Sequence, residues 1–186
     1  MRAPSIVALA TALLGGALAM AQTARPPRSP LPSPGVVLGE LHSVNTLEVA
    51  LGTLAQSRAS DAEVKKLGQA MVKSHTRMDA RGTEYAKQHR LTVTAPPNDP
   101  EHQVEDEANA ARKRKLEGLQ GPEFDRAYVQ SMADGHRKLL DKLTAWEGQA
   151  VDKNLQAFIA DASKEVAQHK QQAEQLLTQL GKSASR

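Results

Sequence analysis

The chain has 186 residues, enough for one domain with a real core, and 40% of them are hydrophobic but only 3% aromatic. Such a core must be aliphatic, which suits helices packed on helices better than a β-sandwich. With 24 basic against 21 acidic residues the net charge is only +3, which gives no reason to expect nucleic acid or a strongly bound membrane surface; the lack of cysteine excludes disulfides, thiolate zinc sites, thiol nucleophiles and a lipid-anchor cysteine.

Residues 1–21 read as a secretory signal: Met1-Arg2, an apolar stretch from Ile6 to Ala19, and Ala19-Met20-Ala21 as an A-x-A cleavage site before Gln22. Export to a bacterial periplasm follows, with no integral membrane span once the signal is cut. Residues 22–35 hold Pro26, Pro27, Pro30, Pro32 and Pro34, a composition expected to stay extended and unpacked as a spacer. The folded part is expected over 36–181, with a polar tail at 182–186.

A first helix is predicted from Val36 to Ser57, its stripe running Val37, Leu41, Val44, Glu48, Leu51 and Ala55. A second opens at Ser60-Asp61-Ala62-Glu63, read as a capping box with Ser60 as the cap, and carries Val64, Leu67, Met71, His75, Met78, Gly82, Tyr85 and His89. It fades near Arg90, before Pro96-Pro97. Gly82 either weakens it or admits a close neighbour. Residues 91–121 form a long connection, in which Asp99-Pro100-Glu101 starts a short, weakly amphipathic helix ending near Gly118. Glu105-Asp106-Glu107 and Arg112-Lys113-Arg114-Lys115 on it read as a solvated, self-neutralising face. A helix from Gly121-Pro122 to Gly148 carries Asp125, Val129, Met132, His136, Leu139, Leu143 and Trp146 on its stripe. Another, from Asp152 to Leu180, carries Leu155, Ile159, Ala162, Val166, His169, Ala173 and Leu176, and is expected to stop at Gly181.

Four such helices make an all-α, ferritin-like four-helix bundle of two antiparallel hairpins. The long, partly helical connection can cross the bundle, so that the helices it joins run parallel. Glu48, His75, His136 and His169 then stand out, because each occupies an apolar position near the middle of its helix. At about 1.5 Å of rise per residue their levels agree to within about 6 Å. Burying one carboxylate and three imidazoles alone is costly, so they should pair or hold a metal.

Asn45-Thr46-Leu47-Glu48-Val49-Ala50-Leu51-Gly52, Val64-Lys65-Lys66-Leu67-Gly68-Gln69-Ala70-Met71-Val72-Lys73-Ser74-His75, Phe124-Asp125-Arg126-Ala127-Tyr128, His136 and His169 together resemble an exported bacterial ferritin-like family of unknown function. It is the domain of unknown function 4142 family, often labelled an outer membrane protein. The resemblance covers about residues 37–180 and implies a signal peptide and a four-helix bundle, with no established activity. The chain departs from the family pattern at Ser74, where an aspartate is usual, and near Lys164, where a proline is common. The label itself finds no support in the residues, which lack the alternation of a barrel strand.

A di-iron site needs glutamates on two helices and Glu-x-x-His on the other two. Here Val72 and Val166 stand where those second glutamates belong, so a two-metal oxidase is disfavoured. Glu48, His75, His136 and His169 could instead hold one zinc, copper or iron ion, with Met71 and Met132 one turn away. The plainer alternative is a buried network, in which Glu48 accepts from the imidazoles and fixes the register of the bundle. Asp125 reads as a dipole-favouring first-turn acid and Tyr128 as a core ring with its hydroxyl at the rim. His42, His89 and His102 read as solvated, and Glu165 as a support for His169 or a flank residue. The leading function is a non-enzymatic exported bundle of unknown role, with Glu48, His75, His136 and His169 as its candidate metal ligands. The alternatives are an envelope-stress or interaction module and, third, a metal-dependent oxidase. No protein partner is named by the sequence.

Overall fold

The computed structural model describes residues 31–183. Five helices follow one another: α1 (Pro34–Arg58), α2 (Ala62–Gln88), α3 (Pro100–Glu117), α4 (Gly121–Glu147) and α5 (Lys153–Ser183). The expected signal, residues 1–21, lies outside the described residues, as does the spacer up to residue 30.

The hairpins α1–α2 and α4–α5 pack side by side, α1 beside α4 and α2 beside α5. The α1–α2 turn lies against the start of α4, where Asp125 accepts from the Ser60 and Asp61 amides. The connection after α2 folds back along the opposite end, where the Thr94 amide donates to the Gly35 carbonyl. From there α3 runs the length of the bundle back to the start of α4. The two helices joined by this crossing, α2 and α4, therefore run parallel, and every neighbouring pair in the bundle is antiparallel. This is the expected all-α bundle with a partly helical crossing connection.

Several local expectations need correction. The spacer does pack in part: Pro34 and Gly35 begin α1, with proline in the first turn where no amide partner is lost, and Leu31 rests on the core. The cap of α2 is Asp61, not Ser60; its carboxylate accepts from the Glu63 and Val64 amides at 2.7 and 3.2 Å. Gly181 does not stop α5, which continues to Ser183. The close helix approach is not at Gly82, where an added Cβ would meet only ordinary contacts. It is at Gly52 and Gly68, where a Cβ on either would come within 2.8 Å of the other's carbonyl oxygen.

The interior is layered along the bundle axis. One apolar cluster, at the α1–α2 turn end, holds Leu51, Leu67, Met71, Phe124, Tyr128, Met132 and Leu176. A second, at the other end, holds Val37, Leu41, Met78, Leu143, Ile159 and Val166. Between them each bundle helix buries polar groups: Asn45 and Glu48 on α1, Ser74 and His75 on α2, His136 on α4, and His169 on α5. Helix α3 is unlike the other four. Leu116 is its one fully buried residue, and Val104 stands 67% exposed.

Candidate metal centre

The three histidines reach a common point because each replaces an apolar residue on the buried stripe of its helix. His75 follows Met71 by one turn on α2, and His136 follows Met132 by one turn on α4. His169 follows Val166 by three residues on α5. One nitrogen from each ring lies within 4.8 Å of the other two. The ring centroids are 5.1–5.5 Å apart, and His75 and His136 bring their Nε2 atoms to 3.3 Å.

The outer nitrogens fix the tautomers. His136 Nδ1–H donates to the Met132 carbonyl at 2.8 Å, and that oxygen can only accept. His75 Nδ1–H donates to the Asn45 side-chain oxygen at 2.9 Å. In neutral rings both Nε2 atoms then carry lone pairs, and those lone pairs face each other. Two nitrogens bound at about 2.0–2.1 Å to one tetrahedral ion stand about 3.3–3.4 Å apart, which is the separation seen. Hydrogen bonds from the far ring nitrogen to a carbonyl or amide oxygen are also the usual means of orienting a ligating imidazole. The Nδ1 atom of His169 is buried without a hydrogen-bond partner.

Two of the rings, His75 and His169, are held neutral. Burial, then the neighbouring His136 and His169, push His75 down to about 2. Burial and then His136 push His169 down to about 4; Glu165 opposes this, and Arg77 adds a little to it. A neutral imidazole is the form that binds metal, so no proton need leave these two rings first.

Glu48 is not brought into this group. It is 3% exposed, and its Oε1 accepts from the Arg112 guanidinium of α3 at 3.1 Å. Its Oε2 has no partner, nor does Arg112 Nε. The expectation that Glu48 would accept from the imidazoles is therefore corrected: the carboxylate faces a guanidinium. Arg112 passes over Gly135, the residue before His136, where an added Cβ would come within 2.5 Å of the guanidinium. The basic run 112–115 is thus not wholly solvated, since its first member reaches the bundle interior. Arg112 and Asn45 are the residues of this layer that the sequence reading missed. Asn45 could have been found as a second polar residue one turn before Glu48; Arg112 had no such signal inside a run of cations.

Other side chains also depart from expectation. Tyr128 is fully buried rather than at the rim, and its hydroxyl has no partner; burial first, then Glu48, raise its pKa, against a smaller opposing effect of Arg112. Asp125, 2% exposed, accepts from the Ser60 amide and hydroxyl and the Asp61 amide, and so joins α4 to the α1–α2 turn. His102 is not solvated: its ring lies between Asp99 at 2.9 Å and Glu40 at 3.2 Å. His42 pairs with Asp79 at the surface and His89 stacks on Tyr85. Glu165 accepts from Ser74, Arg77 and Arg81, closing the α2–α5 side of the layer. Met71 and Met132 are fully buried in the turn-end apolar cluster.

On the α3 side the layer is less closed. A cleft of about 550 Å³ between α1, α3 and α4 is lined by Glu48, Arg112, His136, Leu139, Lys142 and Trp146, among others. Among the described residues, no helix is long and apolar enough to cross a membrane.

Comparison with solved structures finds the same fold in a DUF305 protein from Streptomyces coelicolor, named as a candidate secreted protein. The TM-score is 0.64 at 15% identity, over 79% of this chain and 92% of the other. At that identity the likeness speaks for the fold alone. No curated protein matches the chain. A family model, "Domain of unknown function (DUF4142)", matches residues 18–176, most of the chain, and the protein therefore belongs to that family.

Proposed function

We propose that this protein is an exported, non-enzymatic helical bundle that holds one transition-metal ion on His75, His136 and His169. The observation that carries the reading is the facing pair of Nε2 lone pairs at 3.3 Å, with both rings oriented through their Nδ1 atoms. Three neutral imidazoles suit zinc, copper or iron. The third ring, that of His169, brings one nitrogen within 4.8 Å of the other two. Export to the periplasm is proposed from the signal-like residues 1–21, and an ion taken up there needs no cysteine ligand.

Metal analysis of protein purified without chelator, with thermal unfolding in added zinc, tests the reading. Wild-type protein should carry close to one ion per chain, or gain at least several degrees in Tm with zinc. His75→Leu should lose that gain, while its metal-free stability should fall by no more than about 1–3 kcal/mol, the cost of leaving the buried Asn45 side-chain oxygen without its donor. A wild-type Tm indifferent to zinc, copper and iron would remove the metal. The histidine layer would then be the buried network that fixes the register of the bundle, a reading supported by the Asn45–His75 bond across α1 and α2.

A further inference from the structure

We infer that Glu48 is a latched ligand: Arg112 holds it away from the histidines, and metal loading and the docking of α3 compete for this one carboxylate. The inference rests on the metal reading above and adds its regulation.

The charge of the layer comes first. Three neutral imidazoles leave a bound dication uncompensated in the core, and burying that charge is expensive. Two carboxylates lie close to the layer. Glu165 is engaged by Ser74, Arg77 and Arg81, all on α2, a helix of the bundle itself. Glu48 is engaged by one residue of α3 through one oxygen at 3.1 Å, and its second oxygen is buried with no partner. Glu48 also sits one helical turn from Asn45, which already bonds His75, and lines the same cleft as His136. Glu165 is the carboxylate that acts on His169, and three donors hold it; Glu48 is restrained by a single guanidinium, and its carboxylate, once freed, is the one assigned here to an ion on the trio.

The helix that carries this guanidinium is lightly held. Besides Arg112, α3 is anchored by His102 on Glu40, by Glu105 on Lys142, and by Leu116 in the core. Beneath it lies the 550 Å³ cleft, so it does not rest on a filled interior. Gly135 leaves room for the guanidinium to cross α4, since a Cβ there would meet it at 2.5 Å and make it shift. Two cations, the guanidinium and the metal, therefore seek one acid from opposite sides. Binding of the metal should loosen α3, and loosening α3 should tighten the metal by the same free energy.

Zinc is the probe, and two readouts are used. In wild-type protein, amide hydrogen exchange across residues 100–117 should quicken about tenfold when zinc is added, and Glu48→Gln should abolish that response. In titrations, Arg112→Gln should bind zinc about tenfold tighter than wild type and Glu48→Gln about tenfold weaker. The double variant should match Glu48→Gln, because Arg112 acts only through Glu48. Zinc binding with α3 exchange unchanged, or with Arg112→Gln equal to wild type, overturns the latch and leaves the histidine site standing. Absence of zinc binding in the wild type overturns both. The exchange measurement on wild type needs no substituted protein to fold.

Discussion

The turn-end apolar cluster and the histidine layer beside it are built from the same helices, yet they solve opposite problems. In the cluster, Leu51, Met71, Phe124 and Met132 are fully buried and need nothing but shape. One turn along, His75 and His136 are as deeply buried but keep lone pairs turned on each other, and Glu48 and His169 keep polar atoms with no partner. Natural interiors satisfy nearly all such groups. The difference teaches that the cluster is held by shape and burial, while the layer depends on which polar partner each group finds.

The contrast can be broken most strongly in the cluster. Phe124→Ala should cost about 3–5 kcal/mol in denaturant unfolding, the usual result of emptying an aromatic site. A loss under about 1 kcal/mol would mean that Phe124 does not carry the core. Acid should act on the layer instead. The folded-state pKa of His75 is lowered to about 2 and that of His169 to about 4, both below the ordinary 6.5, so the unfolded chain binds more protons once the pH drops below about 6.5. Metal-free stability should therefore fall as the pH drops from 7 to 4, and His169→Leu should lose less over that range than wild type, by about 2–3 kcal/mol. Equal losses in the two proteins would place His169 in water. Asp125→Ala, which strands the Ser60 and Asp61 donors across the α1–α2 turn, should cost about 1–3 kcal/mol without affecting metal binding. The smallest effect belongs to the surface: Lys66→Ala on its exposed Glu63 pair should leave the denaturant midpoint where it is in wild type.

How much of this could be read from the sequence follows from range. The helices and their inner faces were legible because the 3.6-residue period is local, and the depth of His75, His136 and His169 follows from rise alone. Partners brought in from elsewhere in the chain were not legible. Asp125 meets donors about sixty residues away, so a first-turn acid looked sufficient as an account of it. Arg112 meets Glu48 from a helix whose stripe is weak, inside a run of cations that resembles a solvated face. Tyr128 was expected at the rim because phenols prefer a wet end. It lies fully buried beside Phe124, within reach of the electrostatic influence of Glu48 and Arg112.

X-ray absorption at the metal edge of the zinc-loaded protein tests the central claim most directly. Three imidazole nitrogens at about 2.0–2.1 Å, lost together in His75→Leu, are the predicted result. A first shell of oxygen atoms alone, or an imidazole signal that survives His75→Leu unchanged, would contradict it.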